Sequence, residues 1–317
     1  MLILQASRDD LLKPLQTVTG IVERRHTLPI LSNVLIEAQA GHTKLLATDL
    51  EIQIHTTGPE TTTEDFRITT SAKKLQDILR ALPESAIVKL DWADNRLTLT
   101  AGKSRFNLQT LPAEDFPMMN VAQEVNATFS LRQDQLKLML SQVQYAMAIQ
   151  DIRYYLNGLL LQTEGNQLRL VSTDGHRLAF AGITLEDTNL PKAEVILPRK
   201  TVLELFKLLS HPEDNITVEL LSNQVRVQSG DTVVVSKVVD GKFPDFTRVI
   251  PLDNDKLFLV NRTTLLGALE RAAILANEKF RGVRLQLKPG LLSVLCSNNE
   301  QEEAQEDVEI AYQGEVL

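Results

Sequence analysis

The sequence predicts an α+β fold of three tandem domains, each built from two strand–helix units, with the third domain incomplete. Three observations predict it. A strand–helix pattern recurs with strands starting near 2, 66, 127, 194 and 256; finer side-chain motifs recur at offsets of 124 to 127; and the 317-residue chain stops near where a sixth unit would begin. Periods of this length mark stacked structural units that bury a shared core.

Each unit opens with a short apolar strand, crosses a polar turn and enters an amphipathic helix. The first runs from a strand over 2–5 into a helix over 7–25, and the second from 66–70 into 71–82. The third runs from 128–131 into 132–147, the fourth from 194–198 into 199–209, and the fifth from 256–260 into 262–275. Leu11, Leu15, Val18 and Val22 fall on one helical face, as do Leu75, Ile78, Leu79 and Leu82, and then Leu136, Leu140, Val143 and Met147. Ser7 with Asp10 has the form of a capping box, and Ser130 with Gln133 repeats it. Pro198 sits where a helix start tolerates proline. Alternating strands follow the helices, for example 87–91 and 96–100 around Ala93-Asp94-Asn95, and 216–220 and 224–228 around Ser222-Asn223.

The doubled period groups these units. Leu31-Ser32-Asn33-Val34-Leu35 returns as Tyr155-Leu156-Asn157-Gly158-Leu159, and Ala47-Thr48-Asp49 returns as Ser172-Thr173-Asp174. Glu114-Asp115-Phe116-Pro117 returns as Gly241-Lys242-Phe243-Pro244, and a third copy starts with Phe280-Arg281-Gly282-Val283. Domains are therefore expected at 1–122, 123–251 and 252–317. A sixth unit would start near 319, so the third domain is expected to be a half-domain with uncovered sheet edges, which natural proteins usually avoid.

Net charge is −8, which taken whole disfavours a nucleic-acid partner, but the charge is unevenly placed. The five helix windows hold 14 Lys or Arg against 7 Asp or Glu, so the helices are the basic part of an acidic protein. Solvated helical faces also favour lysine and arginine, but glutamate forms helices equally well and is scarce here. A stacked basic face suits phosphates, with salt-sensitive and sequence-independent binding.

No membrane-length apolar run, secretory leader or metal-ligand spacing is present, and the phosphate-loop, dinucleotide and Gly-x-Ser-x-Gly signatures are absent. No cofactor is expected. Cys296 is the only cysteine; it excludes an intrachain disulfide and reads as a buried thiol in 291–296. Thr173-Asp174-Gly175-His176-Arg177 resembles a catalytic cluster but has no evident nucleophile. Its counterparts Thr48-Asp49-Leu50-Glu51 and Ser297-Asn298-Asn299 indicate a turn common to all copies. Gly175, His176 and Arg177 are peculiar to the second copy, and a binding rim fits them better than catalysis.

Four stretches carry a resemblance across the whole chain: 153–158 (RYYLNG), 173–179 (TDGHRLA), 240–246 (DGKFPDF) and 271–284 (RAAILANEKFRGVR). They resemble the bacterial beta sliding clamp family, the beta subunits of DNA polymerase III. The resemblance implies clamp-type domains with antiparallel sheets outside and helices lining a channel, in a ring of two head-to-tail subunits. It implies a cytoplasmic, non-enzymatic processivity factor that encircles double-stranded DNA without sequence specificity. The expected partners are the DNA polymerase III catalytic subunit, the clamp loader, other DNA polymerases and repair proteins, engaged through short linear peptides; no membrane is involved.

By the same resemblance, Arg24, Gln150, Tyr154 and Tyr155 match DNA-contacting positions, with Lys200 a further basic candidate. For the tyrosines, packing at a strand start is the alternative. Leu156, Thr173, Gly175, His176, Arg177, Leu178, Pro244, Arg248 and Val249 match the rim and floor of the peptide pocket. The family completes that pocket with a C-terminal segment ending in a Met-Pro-Met-Arg-Leu-like tail, which this sequence does not contain. The subunit interface is expected to set Lys73, Lys74, Lys103, Arg105 and Phe106 against Ile274, Leu275 and the acidic run with Glu300, Glu302 and Glu303. A peptide-binding scaffold whose basic helices only pack against partners is the alternative of a different class, and DNA retention separates the two.

Overall fold

The computed structural model describes residues 2–23, 28–61, 64–186, 189–277 and 282–317. They form two compact units, one reaching Phe243 and one running from Pro244 to Leu317.

In the first unit the strand–helix motif occurs four times, and three antiparallel strands complete it each time. β1 (Leu2–Ser7) and α1 (Arg8–Thr19) precede β2 (Asn33–Gln39), β3 (His42–Thr48) and β4 (Ile52–Thr57). β5 (Phe66–Ser71) and α2 (Ala72–Ala81) precede β6 (Ile87–Ala93), β7 (Arg96–Ala101) and β8 (Ser104–Leu111). β9 (Val125–Arg132) and α3 (Gln133–Val143) precede β10 (Gly158–Gly165), β11 (Gln167–Thr173) and β12 (Leu178–Thr184). β13 (Leu190–Pro198) and α4 (Arg199–Leu208) precede β14 (Asn215–Leu221), β15 (Gln224–Ser229) and β16 (Thr232–Lys237).

The leading strands are exchanged between halves. β1 pairs with β6 while β5 pairs with β2, and β9 pairs with β14 while β13 pairs with β10. No half can satisfy its own leading strand's backbone, so the two halves of a domain fold as one body. Helices then cover the sheets from one side. Leu11, Leu15 and Val18 of α1 and Leu75 and Leu79 of α2 are buried in a common core that continues through Leu136, Leu140 and Val143 of α3. Between α1 and α2, Gln76 donates to the Thr19 hydroxyl at 2.7 Å, satisfying two buried polar groups.

Local sequence explains most boundaries. Ser7 caps α1 by accepting from the Asp10 N–H at 3.1 Å. Asp94 and Asn95 both adopt positive φ, as a two-residue hairpin between β6 and β7 requires. Three expectations fail. α1 ends at Thr19, short of residue 25, and Val22 is buried on the following turn. At the C-cap, Gly20 keeps a right-handed backbone, and a methyl group there would lie 2.3 Å from the Glu204 carboxylate, so glycine lets the end of α1 approach α4 closely. Ser130 does not cap α3. Pairing with β14 keeps β9 extended through Arg132, which takes the N-cap place instead, its backbone N–H donating to Gln135 Oε1 at 3.1 Å. The fifth leading strand is reduced to one bridge between Leu259 and Ala311. β1 and β9 pair with the sheet of the following half, and residues 256–260 have no such sheet among the described residues.

Two domains of the first unit share a twelve-stranded sheet because β4 pairs antiparallel with β16. Charges and hydroxyls reinforce this seam. Thr56 and Thr232 share a 2.9 Å hydrogen bond, and Lys237 donates through Nζ to Glu51 at 3.0 Å and through its backbone N–H to the Glu51 carbonyl at 2.8 Å. The connecting chain is pinned across it. Gln53 accepts from the Met119 N–H, while Gln224 accepts from the Ala122 N–H and donates to the Asn120 carbonyl.

The second unit holds α5 (Arg262–Ala272), β17 (Arg284–Lys288), β18 (Leu291–Ser297) and β19 (Glu303–Glu309). Ala268 and Ala272 of α5 pack on Leu292, Val294, Cys296 and Val308, so Cys296 is a buried core thiol. Among the described residues, no helix is long and apolar enough to cross a membrane.

Two measurements test this packing. Ile54 of β4 is 0% exposed at the seam, and Ile54→Ala should lower unfolding free energy by about 2–5 kcal/mol in urea titrations. His55 beside it has a buried Nδ1 without a hydrogen-bond partner, and burial, followed by the positive charge of Lys44, lowers its pKa from 6.5 to about 4. Its folded pKa lies below the unfolded value, so the unfolded chain takes up the proton first as pH falls. Its contribution is complete above 6.5 and shrinks as pH drops towards 4. Urea midpoints should fall less between pH 7 and 4.5 in His55→Gln than in the native chain.

Candidate nucleic-acid and peptide interface

A turn stands at the same place in all three copies and is built alike in the first two. In the first domain Asp49 Oδ1 accepts from the N–H groups of Glu51 and Ile52, and Thr48 Oγ1 donates to the Ile52 carbonyl. In the second, Asp174 Oδ1 accepts from His176 at 2.9 Å and Arg177 at 3.0 Å, and Thr173 Oγ1 donates to the Arg177 carbonyl at 2.7 Å. In the second unit, Asn298 Oδ1 accepts from Glu300 and Glu302. The shared backbone accounts for Thr and Asp at this place, as the repeat indicates. Leu50 and Gly175 occupy the same left-handed position, with φ of 77° and 87°.

The second copy gathers further side chains around its turn. Leu156 is buried in a 3₁₀ turn before β10, Thr173 ends β11 and Leu178 opens β12 as its cross-strand partner. Gly175, His176 and Arg177 project between them and are exposed. Arg177 is held from two sides: its Nε donates to Asp174 Oδ2 at 3.1 Å, and its guanidinium lies over the Tyr145 ring at 5.6 Å. Burial opposes ionisation of Asp174, but the two backbone donors and the Arg177 guanidinium outweigh it and hold the carboxyl below its usual range. Six of the nine expected pocket positions are thus gathered at one place. Pro244, Arg248 and Val249 belong to the second unit, where Arg248 pairs with Asp245 at 2.8 Å and Val249 is exposed.

Three residues here escaped sequence reasoning: Asp151, Arg153 and Tyr145. Asp151 and Arg153 bond to each other, and Arg153 reaches the Asp174 carbonyl at 3.2 Å, joining the 3₁₀ turn to the rim. Their spacing of two residues ahead of the Tyr-Tyr-Leu-Asn motif was the available signal. Tyr145 had none, since it reads as helix.

The expected DNA-contacting positions divide. Arg24 lies outside the described residues, as does Arg25; together they are half the basic residues of the first helix window. Gln150, Tyr154 and Tyr155 share the segment between α3 and β10. Gln150 is exposed with a φ of 55°, and Tyr154 is 56% exposed. The two tyrosine rings meet edge to face at 5.8 Å, and Tyr154 lies over Gly241, where a methyl group would stand 3.4 Å from the ring. Lys200 is engaged at the seam, donating to Glu23 at 2.8 Å and to Asp49. Partial burial works against its charge, and the two carboxylates outweigh it, so its pKa is raised.

The expected interface positions lie on outward surfaces of their own units. Lys74, Lys103 and Arg105 are exposed, Lys73 is partly exposed and donates to the Thr19 carbonyl, and Phe106 of β8 is half-buried against the domain core. In the second unit Ile274 is 78% exposed, Leu275 is half-buried, and Glu300, Glu302 and Glu303 are exposed. No cluster of three metal-ligating side chains occurs among the described residues.

Asp174→Ala should accelerate amide exchange at His176 and Arg177 by about tenfold, because both N–H groups lose their acceptor. Unchanged protection in hydrogen-exchange NMR contradicts that role.

Family models for the DNA polymerase III beta subunit match nearly the whole chain: the N-terminal domain at residues 2–120, the central domain at 130–245 and the C-terminal domain at 247–317. The beta sliding clamp of Pseudomonas putida is 45% identical over 311 residues, covering 98% of this chain and 84% of the relative. The crystal structure of the DNA polymerase III subunit beta from Pseudomonas aeruginosa superposes with a TM-score of 0.94 at 43% identity, covering 99% of this chain and 86% of that one. A sliding clamp from the same organism, bound to griselimycin, gives the same TM-score at 43% identity over 100% of this chain and 86% of the other. With its three clamp-type domains, the chain belongs to the bacterial DNA polymerase III beta subunit family, the beta sliding clamps.

Proposed function

We propose that this protein acts as a processivity factor: a ring that encircles duplex DNA and tethers the replicative polymerase. The carrying observation is the repeated strand–helix architecture together with its family membership. Retention is topological, so tight DNA binding is unnecessary, and the tethered enzyme rebinds at an effective concentration set by its linker. Weak, salt-sensitive phosphate contacts suit sliding. No bond is made or broken by the protein in this role, and it works in the cytoplasm.

The domains are divided here at 122/123 and 251/252. Arg24, Gln150, Tyr154 and Tyr155 are assigned to DNA, the exposed tyrosine offering a face for stacking and glutamine a donor for phosphate. Lys200 contributes by exchanging Glu23, its exposed partner, for a phosphate. Leu156, Thr173, Gly175, His176, Arg177 and Leu178, with Pro244, Arg248 and Val249, are assigned to short peptides of the polymerase III catalytic subunit, the clamp loader, other polymerases and repair proteins.

Internal symmetry supports a head-to-tail homodimer in which β19 of one copy joins β8 of another, as β4 joins β16. Val234 pairs with Ile54 at the internal seam. Matching the hairpins Ser229–Thr232 to Ala101–Ser104 sets Val234 on Phe106; matching Thr48–Gln53 to Ser297–Glu303 sets Ile54 on Ala304. Phe106 then faces Ala304 of the second copy, with Ile274 and Leu275 as apolar neighbours. Lys74, Lys103 and Arg105 approach Glu300, Glu302 and Glu303, repeating the basic-to-acidic polarity of Lys200 and Lys237 against Glu23, Asp49 and Glu51.

Two experiments test the proposal. Clamp loaded on nicked circular DNA should dissociate rapidly once the circle is linearised; equal retention on both forms contradicts encirclement. Ile274→Ala with Leu275→Ala should convert dimers to monomers in light scattering, and an unchanged dimer mass overturns the interface assignment.

A further inference from the structure

We propose that Asp151 is a positioning residue of the peptide pocket: through Arg153 it fixes a guanidinium at the pocket's edge, beside Gly175. This rests on the peptide-pocket assignment above and adds a residue that contacts the ligand only through another. The Asp151 carboxylate accepts from the Arg153 backbone N–H at 2.8 Å, from Nε at 3.0 Å and from Nη2 at 2.8 Å. Nη2 also donates to the Asp174 carbonyl at 3.2 Å, so one arginine bridges two loops. These bonds hold Asp151 ionised, its pKa lowered to about 2 by the Arg153 side-chain and backbone donors.

Asp151 is itself anchored. Its N–H donates to Asn157 Oδ1 at 2.9 Å, and Asn157 Nδ2 donates to its carbonyl at 2.8 Å. The repeat makes the specialisation visible. Asn33, the counterpart of Asn157, donates instead to Thr69 at 3.1 Å. The asparagine belongs to both domains of the first unit, and its use to clamp an Asp–Arg pair belongs to the second.

Gly175 completes the device. Its φ of 87° suits glycine, and a methyl group there would lie 3.0 Å from Arg153 Nη1 and 3.1 Å from Nη2. Glycine therefore leaves the guanidinium flat against the turn. With Nε and Nη2 taken by Asp151 and Asp174, Nη1 supplies the donors for a carbonyl or carboxylate oxygen of a bound peptide. Without Asp151 the same arginine swings through many rotamers, and binding must order it.

The test is a double-mutant cycle on the 317-residue chain, with griselimycin as probe and calorimetric titration as readout. Asp151→Ala should weaken binding about tenfold in the native background and less than about twofold in the Arg153→Ala background. Asp151→Asn, which keeps an acceptor without the charge, should fall between native and Asp151→Ala. Equal losses in both backgrounds, or no loss at all, overturn the positioning role. A native chain that binds no griselimycin overturns the pocket assignment, and the proposal falls with it. If Asp151→Ala does not fold, Asp151→Asn with Arg153→Lys closes the same cycle.

Discussion

Antiparallel strand pairing between different repeats carries the architecture. A strand presents a row of backbone donors and acceptors, and leaving them unpaired away from water is costly. In the first unit each leading strand finds its partner in the other half of its domain, as β1 does on β6 and β5 on β2. The third strand of the first half, β4, turns its outer edge to the next domain and takes β16. These two pairings turn a chain of small units into domains, and domains into a continuous sheet. Helices are secondary in this scheme: they seal one face of sheets whose edges are already matched.

The seam explains why Lys200 behaves unlike the solvated phosphate contact that a basic helix implies. At the start of α4 it is drawn to Glu23 and Asp49 of the neighbouring domain. Similar neutralisation occurs between Arg8 and Asp9, Arg132 and Asp134, Lys207 and Glu204, and Arg271 and Glu306. Much of the positive charge counted on the helices is therefore matched locally. Among the described residues, Lys13, Lys74, Arg80 and Arg262 are exposed helical cations outside these pairs. Function separates from scaffold in the same way at the rim. A turn recurs in every copy, and residues peculiar to the second copy, Arg153, Gly175, His176 and Arg177, are the ones we propose for recognition.

Periodicity made the repeats, the helices and most strands legible, because apolar spacing and repeated motifs depend on local geometry. The shared turn at Asp49, Asp174 and Asn298 was legible for the same reason. What the sequence hid was non-local. Gly20 lets the end of α1 approach Glu204 of α4, 184 positions away, and β9 outruns the Ser130 cap because β14 holds it extended. The pocket positions came from family resemblance, whereas Asp151 and Tyr145 act through contacts that no motif records.

We propose that one register joins repeats within a chain and between chains. Cysteines placed at Phe106 and Ala304 test it most directly, since the native Cys296 is buried in the second unit's core. Mild oxidation of the double variant should yield a disulfide-linked dimer, and moving the second cysteine to Asp307 should abolish it. Equal cross-linking from both positions, or none from Ala304, contradicts the shared register.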